Sequence, residues 1–419
     1  MVRLLYSLLL YLLAPLIWLR LLWRSRKQPE YRANLGERWG RYRQRGPRPV
    51  IWVHAVSVGE TRAAQPLIAG LQAAWPEHDI LLTGMTPTGR AAGREVYGDR
   101  VIQAYLPYDY PPAVDRFFRH FSPAFGVLME TEIWPNLLAA ASRHQVPLLL
   151  VNARLSARSA RGYRRFAPLL RPAFAALSGV GAQTAADALR LREVGADPVE
   201  VCGNLKFDVT PAAEQLSLGQ SWRLAIGERP VWLAASTRDG EEPLIIAAWR
   251  CLARPDALLV LVPRHPQRFA EVAALLDAEN LRYCRRSTGL PDPTSQVWLG
   301  DSMGEMAAYY ALADVAFIGG SLLPLGGQNL IEAAACGCPV LIGPHTFNFR
   351  QATEDAIAAG AARRIADAGE LAAAVGRLLK DTELRQRMRQ AAVAFASAHR
   401  GASERTLAFI RQRLDRAGR

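Results

Sequence analysis

Short apolar runs recur along this chain from residue 50 onward, and stretches with a helical pattern separate most of them. In the first half of the chain the runs are 50–53, 80–83, 101–102, 125–129, 147–151 and 180–182. Apolar runs of this length, closed by turn residues, are typical of strands that are buried on both faces of a parallel sheet. Because helical crossovers join parallel strands, the alternation predicts a parallel sheet with helices on both faces.

A second series of the same kind predicts a second domain. Its runs are 230–235, 257–262, 297–299, 315–318 and 340–342. A length of 419 residues also suits two domains better than one. The stretch 211–220 contains proline, glutamine and serine and is the predicted linker. We therefore expect an N-terminal anchor segment at 1–27, an N-terminal Rossmann-like domain at 28–212 and a C-terminal one at 213–419. By analogy with doubly wound folds, the last helix often crosses back onto the first domain.

The turn after the run 315–318 is the most informative one, and it opens with Gly319 and Gly320. A helix is predicted to begin near Asn329 and to end at the next glycine. The first N–H groups of a helix and the positive end of its dipole suit a phosphate or a nucleotide, and Glu332 would accept hydrogen bonds from a ribose. An alternative is that these glycines only form turns. Strand, glycine loop, acidic helix and glycine stop together resemble the donor-nucleotide site of two-domain (GT-B) glycosyltransferases.

The first fifty residues combine an uncharged apolar run, 4–19, with a strong basic excess. They hold eleven Arg or Lys residues against Glu30 and Glu37, a net charge of +9 within the chain's total of +13. Because the charge follows the apolar run, an uncleaved membrane anchor with a cytoplasmic body is favoured over a signal peptide. The basic residues are expected to meet an anionic membrane surface, and no nucleic acid is expected. A helix in the membrane interface, with Trp18 and Trp23 at headgroup level, and a buried core helix stay as alternatives.

Cysteine usage points to a reducing compartment. The five cysteines are scattered and odd in number, which does not suit a disulfide framework. Cys336 and Cys338 lie close together, but no second cysteine pair or histidine cluster accompanies them. Small buried side chains explain this pair better than a metal site does.

Charged side chains follow several strands of the first predicted sheet, at the edge where ligands bind in such folds. Glu60 follows the first strand, and a partly desolvated carboxylate there could remove a proton from an acceptor hydroxyl. Glu130 and Glu132 follow a later strand, and Lys206 could neutralise a leaving phosphate. Ordinary alternatives exist for each: a helix acid favoured by the dipole for Glu60, a solvated strand cap for the acidic pair and an exposed lysine for Lys206.

The second predicted sheet offers corresponding groups. Arg264 and His265 follow the run 257–262, and Arg264 could pair with a phosphate or a carboxylate as a planar fork. The turn 300–306 could hold a base or a phosphate with its backbone. A weak internal repeat supports two similar halves, because each half runs from a tryptophan-containing strand through a serine turn to Gly-Glu, ending at Glu60 and at Glu241.

Motifs spread along most of the chain resemble the bacterial 3-deoxy-D-manno-octulosonic acid (Kdo) transferases of lipopolysaccharide assembly. In chain order they are His54-Ala-Val-Ser-Val-Gly-Glu60, Met85-Thr-Pro-Thr-Gly89, Tyr105-Leu-Pro-Tyr-Asp109, Met129-Glu-Thr-Glu-Ile-Trp-Pro-Asn136, Asn152-Ala-Arg-Leu-Ser156, Gly203-Asn-Leu-Lys-Phe-Asp208, Pro263-Arg-His-Pro266, Gly319-Gly-Ser321 and Gly343-Pro-His-Thr-Phe-Asn-Phe349.

The resemblance implies a GT-B fold: two Rossmann-like doubly wound domains with an inter-domain cleft and an N-terminal membrane-anchor helix. It implies an inverting transfer of Kdo from CMP-Kdo to a lipid A precursor, lipid IVA, with release of CMP at the cytoplasmic side of the inner membrane. By the same resemblance, Glu60 is the catalytic base, and Glu130 and Lys206 support the transition state. The implied CMP-binding positions are Arg264, His265, Gly304, Glu305, Met306, Asn329, Leu330, Ile331 and Glu332.

The chemistry of these substrates agrees with the implied family. CMP-Kdo carries one bridging phosphate and one carboxylate, so a helix dipole and a few cations suffice, and neither a metal nor another cofactor is expected. The anionic acceptor headgroup would suit the basic N-terminal region and a second basic run, formed by Arg154, Arg158, Arg161, Arg164 and Arg165. The alternative for this second run is a helix face exposed to solvent. The chain departs from the family at Gln328, where His is frequent, and at the Cys-Gly-Cys that begins at Cys336.

Two other functions stay open from the sequence. One is a transferase of the same architecture that uses a UDP-sugar, which competition between CMP and UDP would distinguish. The other is a non-catalytic lipid-binding or scaffold protein at the membrane, for which the anchor and the basic belt would suffice. The number of Kdo units transferred depends on the acceptor pocket and is not predicted, and neither is self-association.

Overall fold

The structure, a computed structural model, describes residues 1–44, 46–252 and 254–417. It divides into two compact units. The first unit contains the described residues of Met1–Val209 together with 401–417, and the second contains those of Thr210–Arg400.

The first unit is built on a parallel sheet. Its strands are β1 (Val50–His54), β2 (Asp79–Gly84), β3 (Ile102–Tyr105), β4 (Phe125–Met129), β5 (Leu148–Ala153), β6 (Gly179–Ala182) and β7 (Val199–Val201). They lie in the order β3-β2-β1-β4-β5-β6-β7. The strands are short, and the central strands β1, β4 and β5 are wholly buried, as the apolar runs predict.

Helices cover both faces of this sheet. They are α1 (Val2–Lys27), α2 (Val58–Ala63), α3 (Gln65–Ala74), α4 (Pro87–Tyr97), α5 (Pro111–Phe121), α6 (Pro135–Arg143), α7 (Ala157–Arg165), α8 (Ala167–Ala175) and α9 (Ala185–Glu193). Successive strand residues point to opposite faces, so Trp52 joins a core with Phe117, whereas Ile51 and Val53 join a second core with Leu67.

The helix α1 contacts the rest of the first unit along one narrow stripe. Ser7, Leu21 and Ser25 are buried, at intervals that a helix places on one side. The opposite side is exposed and apolar. By length and composition the helix could cross a membrane. Only 6% of its most apolar stretch of 18 residues is buried. The alternative of a buried core helix is therefore wrong.

The second unit repeats the architecture. Its strands are β8 (Val231–Thr237), β9 (Leu258–Pro263), β10 (Tyr283–Arg285), β11 (Val297–Leu299), β12 (Val315–Ile318), β13 (Val340–Ile342) and β14 (Ala362–Arg364). All pairings are parallel, in the order β10-β11-β9-β8-β12-β13-β14. Its helices are α10 (Ala213–Ile226), α11 (Glu241–Cys251), α12 (Phe269–Ala278), α13 (Met306–Leu312), α14 (Ile331–Ala335), α15 (Arg350–Ala358), α16 (Ala368–Lys380) and α17 (Thr382–Ala398). The predicted linker at 211–220 is wrong, since most of it forms the start of α10.

The last helix, α18 (Ala402–Ala417), belongs to the first unit rather than to the second, so the predicted second domain of 213–419 is too long. Phe409 and Ile410 enter the core beside Leu205. The carboxylate of Asp208 accepts hydrogen bonds from the backbone N–H groups of Gly401 (2.7 Å) and Ser403. Burial of apolar side chains and capping of the helix start thus attach α18 to the first unit.

Both sheets have the fold class that the alternation predicts, and in both the strand order reverses beside the first strand. The reversal lies between β1 and β4 in the first unit and between β8 and β12 in the second. In open parallel sheets, ligands bind outside the carboxyl ends of the strands at such a point. The loops that follow these four strands therefore define where a site is expected in each unit.

Candidate active site

Glu60 lies at the reversal point of the first sheet, in the first turn of α2. Ser57 caps that helix: its hydroxyl oxygen accepts a hydrogen bond from the Glu60 N–H (3.3 Å) and its hydroxyl donates to Glu60 Oε1 (2.8 Å). The N–H of Val56 donates to Glu60 Oε2 (2.9 Å). This is a capping box, which the local sequence is sufficient to form. Its effect is to hold the carboxylate at the sheet edge with 9% of the residue exposed.

Burial, followed by the negative charge of Glu130, raises the pKa of Glu60 to about 7. The hydrogen bonds from Val56 and Ser57 oppose this shift without cancelling it, and the charge of Glu132 adds to it. A carboxylate with a pKa near neutrality can accept a proton and release it again at physiological pH. The arrangement therefore suits a general base.

Glu130 and Lys206 form an ion pair at the same sheet edge. Glu130 follows β4 with a φ of 60°, which is uncommon for a residue other than glycine. Lys206 Nζ donates to Glu130 Oε1 at 2.9 Å, and each side chain is less than one-fifth exposed. The structure thus brings together the three predicted catalytic residues of the first unit: Glu60, and near it the ion pair of Glu130 with Lys206.

Asparagine side chains, which the sequence did not single out, position Lys206. Asn152 Oδ1 accepts a hydrogen bond from the Leu205 N–H (3.0 Å), and Asn204 Oδ1 accepts one from the Lys206 N–H (3.0 Å). Asn152 is fully buried, and its φ of 51° gives it a left-handed backbone conformation at the end of β5. An asparagine at the end of an apolar run was the available signal.

In the second unit, Arg264 and His265 follow β9. The Arg264 N–H donates to the Thr237 carbonyl (2.9 Å), and Arg264 Nε donates to Gln328 Oε1 (3.2 Å). Burial lowers the pKa of His265, and the positive charges of Arg238 and Arg264 lower it further. A neutral imidazole beside two guanidinium groups leaves this edge positively charged, which favours an anion.

The predicted turn at Gly304, Glu305 and Met306 is present, but its acid is engaged within the protein. Gly304 has a φ of 80°, and Met306 begins α13. The Glu305 carboxylate accepts hydrogen bonds from Arg286 Nη2 (2.9 Å) and from the Ser302 hydroxyl. A ligand at this turn would therefore meet backbone groups rather than the Glu305 carboxylate.

The predicted helix start near Asn329 lies two residues too early. Asn329 Oδ1 instead accepts a hydrogen bond from the N–H of Ile331 (3.1 Å), where α14 begins. Because α14 has five residues, its dipole is smaller than that of the helix we expected. Leu330 and Ile331 are buried, so only their backbones are available to a ligand. Glu332 lies in the first turn of α14 and is half-buried.

Glu241 occupies the place in the second unit that Glu60 occupies in the first, but it holds a loop. It is fully buried, and its carboxylate accepts hydrogen bonds from the N–H groups of Arg238 (2.9 Å), Gly320 (2.5 Å) and Leu322 (3.1 Å). A Cβ at Gly319 would lie 2.4 Å from the Ser236 carbonyl oxygen. Gly319 and Gly320 therefore form a tight turn that a larger residue at position 319 would disrupt, as the alternative interpretation of these glycines predicts.

The same loop is connected to Arg264. The carbonyls of Gly319 and Gly320 accept hydrogen bonds from the N–H groups of Gln328 (3.0 Å) and Gly327 (2.7 Å), and the Gln328 side chain bonds Arg264. A chain of hydrogen bonds therefore runs from Glu241 through the loop after β12 to Gln328 and Arg264 at the predicted donor site. The internal sequence repeat was the signal for Glu241.

Cys336 is partly buried and Cys338 is fully buried, and neither forms a disulfide. Burial raises the pKa of the Cys338 thiol to about 12. Over residues 1–44, 46–252 and 254–417, no group of three or more His, Cys, Asp or Glu side chains has the arrangement of a metal site.

Comparison with known proteins gives matches over both units. A family profile described as "3-Deoxy-D-manno-octulosonic-acid transferase (kdotransferase)" matches residues 33–209, and one described as "Glycosyl transferases group 1" matches residues 245–394. The chain is 49% identical to a 3-deoxy-D-manno-octulosonic acid transferase of Bordetella pertussis, over 96% of this chain and 97% of that protein. It is 39% identical to that of Haemophilus influenzae, over 99% of each. A solved glycosyltransferase structure from Rickettsia africae is similar in fold alone, with 12% identity and a TM-score of 0.61 over 88% of this chain and 99% of that chain.

Proposed function

The chain belongs to the 3-deoxy-D-manno-octulosonic acid (Kdo) transferase family, and we propose that it transfers Kdo from CMP-Kdo to lipid IVA with inversion at the anomeric carbon. It is an enzyme, a Kdo transferase of lipopolysaccharide biosynthesis, since its named relatives match it over nearly their full length. The donor, the acceptor, the stereochemistry and the roles of individual residues are the proposal.

The observation that carries the mechanism is Glu60, with its raised pKa, at the reversal point of the first sheet. In the proposed reaction, an acceptor hydroxyl attacks the anomeric carbon while the bond from that carbon to the CMP phosphate oxygen breaks. Glu60 takes the hydroxyl proton, and CMP leaves with the electron pair of the broken bond. One displacement of this kind inverts the anomeric configuration. Lys206, held by Glu130, supplies positive charge that stabilises the leaving phosphate.

Donor binding is assigned to the second unit. Arg264 supplies a guanidinium beside Gln328, and the backbone groups of the Gly304 turn and of residues 329–331 are available to cytidine and phosphate oxygens. Glu332 is proposed to bind the ribose. Nothing in this set is specific for cytosine, so the choice of CMP over UDP is supported by family membership.

The membrane association that we propose is interfacial, at the cytoplasmic side of the inner membrane. Tyr6 OH donates to Asp109 Oδ2 (3.0 Å) and Tyr110 OH donates to the Leu10 carbonyl (2.9 Å), so α1 is attached to the first unit near its start. Further along the helix, Trp18 stacks on Trp39 with ring centroids 5.5 Å apart, and Leu21 is buried. A transmembrane α1 would pull these polar groups of the first unit into hydrocarbon, at a large cost in free energy.

An α1 that lies in the interface avoids this cost. Its exposed side would enter the lipid with the side chains of Leu4, Leu5, Leu8, Leu9, Leu12, Leu16 and Leu19. The exposed arginines of α7 supply positive charge for the phosphates of the acceptor or of the membrane. Arg164 pairs with Glu193 (3.3 Å), whereas Arg158 and Arg161 are exposed.

The decisive experiment is mass spectrometry of the product formed by the purified chain from CMP-Kdo and tetra-acylated lipid IVA. We expect a mass increase of one or more Kdo units and release of CMP. Competition by added CMP but not by UDP is expected at equal concentrations. A product formed from a UDP-sugar, or no turnover with any donor, would contradict the proposal and favour one of the two rival functions.

A further inference from the structure

His54, the last residue of β1, carries a buried ring nitrogen with no hydrogen-bond partner among the described residues. Its side chain is fully buried, and the unpartnered atom is Nε2. Nε2 lies 3.9 Å from Glu132 Oε2, which is beyond hydrogen-bond reach. The ring thus points toward the acidic residues around Glu60, in a place where polar atoms are normally satisfied.

The neighbours of the ring determine which nitrogen carries the hydrogen. Thr83 Oγ1 accepts a hydrogen bond from Trp52 Nε1 (2.7 Å) and lies 2.8 Å from His54 Nδ1. The Thr83 hydroxyl hydrogen can go to that nitrogen or to the Val53 carbonyl, which is 3.5 Å away. The Thr83 carbonyl is also close to Nδ1 (3.1 Å), but it already accepts the Ala55 N–H (2.9 Å). A lone pair on Nε2 would face the negative Glu132 carboxylate, whereas a hydrogen there is attracted to it, so the ring hydrogen is assigned to Nε2 and the Thr83 hydroxyl hydrogen to Nδ1.

Burial also lowers the pKa of His54 to about 4, so the ring is neutral at physiological pH and has one N–H. That N–H is therefore a buried donor directed at Glu132. The Glu132 carboxylate accepts a hydrogen bond from Trp134 Nε1 at Oε2 (2.7 Å). Its Oε1 has no hydrogen bond within the described chain, and the side chain is 22% exposed. The carboxylate is thus anchored through one oxygen, and the partly exposed side chain leaves its other oxygen without a hydrogen bond in the described chain.

The nearby ionisable groups are otherwise engaged. Glu130 pairs with Lys206, and both oxygens of Glu60 accept hydrogen bonds from the α2 cap. Glu132 is the remaining acid of this group, and its negative charge acts on Glu60. A second anion beside Glu60 repels an anionic donor, whereas a neutral sugar hydroxyl can donate to it.

We propose that His54 positions Glu132 as an acceptor-binding carboxylate. When the sugar of the glycolipid acceptor enters, the Glu132 carboxylate moves by about 1 Å to accept the His54 Nε2–H at normal hydrogen-bond length, and its Oε1 accepts a hydroxyl of that sugar. His54 acts through Glu132 and is a positioning residue, whereas Glu132 contacts the substrate. This inference rests on the proposed function, because the acceptor is the sugar of that reaction.

The test uses two substitutions of His54 that separate its nitrogens. His54→Gln places an amide N–H near the position of Nε2, and His54→Asn places its amide near Nδ1. We expect His54→Asn to raise the KM for lipid IVA about tenfold with little change in the KM for CMP-Kdo, since one hydrogen bond to a charged group is lost. We expect His54→Gln to have a KM for lipid IVA close to that of wild type, because its amide N–H can replace the Nε2–H. Equal activity of His54→Asn and wild type, or a change confined to the KM for CMP-Kdo, would overturn the proposal.

A second variant keeps the test independent of how His54 substitutions fold. Glu132→Gln should raise the KM for lipid IVA by a similar factor, and adding His54→Asn to it should cause no further rise, because residues that act as one unit are not additive. Additive losses would contradict the pairing. An exposed acid of the same unit, Glu95→Gln, is the matched control and should behave as wild type.

A measurement without turnover separates this inference from the proposed function. In the full chain with ¹⁵N-labelled histidine, the His54 signal, assigned by its loss in His54→Asn, should show the hydrogen on Nε2. Addition of lipid IVA should shift that signal. A hydrogen on Nδ1 would overturn the inference even if Kdo is transferred. Absence of Kdo transfer together with a shifted Nε2–H signal would overturn the proposed reaction and leave the acceptor site standing.

Discussion

Two glutamates that follow equivalent strands have opposite surroundings at the residue scale. Glu60 accepts hydrogen bonds from its own helix cap and lies near the negative charge of Glu130. Glu241 accepts three backbone N–H groups and is fully buried. The first is suited to exchange a proton, and the second is suited to hold a loop. The difference comes from what lies around each carboxylate and not from its position in the strand–turn–helix unit.

Glu60 is expected to control the pH dependence of turnover. Because the base must be ionised and its pKa is about 7, kcat/KM should rise with pH up to about 7 and then level off. Glu60→Gln should lower kcat by about 10²–10⁴-fold while CMP binding, measured by calorimetry, is unchanged. Near-normal turnover of Glu60→Gln would refute the role of a base.

The same substitution is expected to stabilise the protein at high pH. The folded-state pKa is raised from 4.5 to about 7, so the folded state binds the proton more tightly and stability falls as pH rises from 4.5 to 7. Glutamine can accept the Val56 N–H through its amide oxygen and donate its amide N–H to the Ser57 hydroxyl oxygen, so the cap stays bonded without the charge. Glu60→Gln should therefore have a higher free energy of unfolding than wild type at pH 8, by at most about 3 kcal/mol, and a similar one at pH 4. Denaturant titration at both pH values checks this.

Glu241 is expected to affect the donor site through the β12 loop. In Glu241→Gln, an amide NH₂ would face backbone N–H donors that the carboxylate now accepts. Loss of hydrogen bonds to a buried charge should cost about 2–3 kcal/mol in the free energy of unfolding. Affinity for CMP should fall as well, because the loop is bonded to Gln328 and through it to Arg264. Denaturant unfolding and calorimetry, with exposed Glu271→Gln as control, measure both; unchanged CMP affinity would contradict the connection.

At the scale of the element, α1 has two sides with different partners. One stripe is bonded to the first unit, and the other side exposes leucines. The apolar run and the basic charge that follows it predict a membrane helix. They do not distinguish a spanning helix from an interfacial one, and the proposal of an interfacial helix rests on contacts with Asp109 and Tyr110, about a hundred residues away.

Charges on the exposed side of α1 are expected to release the protein from lipid. Leu12 and Leu19 are 76% and 61% exposed, so Leu12→Lys with Leu19→Lys should leave the fold intact and reduce apolar burial in the membrane. We expect a several-fold loss of cosedimentation with phosphatidylglycerol-containing vesicles at physiological salt. Leu224→Lys, on an 84% exposed position of α10, is the control. Undiminished cosedimentation of the double variant would argue against an interfacial α1.

At the scale of the whole molecule, the chain enters the second unit once and then returns to the first. The return is made by α18, whose apolar side completes the core of the first unit. The end of the chain therefore contributes to the stability of the part that contains Glu60. A domain division at a single point along the sequence does not describe this molecule.

Removal of residues 401–419 is expected to destabilise the first unit. Phe409 and Ile410 are almost fully buried, and the loss of two such side chains should cost about 3–6 kcal/mol. Thermal unfolding of the shortened chain should show an early transition, with loss of Kdo transfer above it. A chain lacking only residues 418–419 is the control. An unchanged unfolding profile after removal of 401–419 would show that α18 is dispensable.

The sequence by itself determined the features that depend on neighbouring residues. Strand positions such as Val315–Ile318 were read from short apolar runs, and the fold class followed from their alternation with helices. The Ser57–Glu60 capping box is formed by residues three apart, so the placement of Glu60 was also accessible. Local sequence predicts these features because buried side chains recur with the period of a helix or of a strand.

Only the tertiary structure decided the features that join distant residues. Three contacts depend on strand order and on loops that meet at one sheet edge: the pairing of Glu130 with Lys206, the approach of His54 to Glu132 and the anchoring of Gly320 by Glu241. Local pattern contains no record of strand order. The start of α14 was misplaced for the same kind of reason, because Asn329 bonds the N–H of Ile331 within a loop whose course the rest of the fold sets.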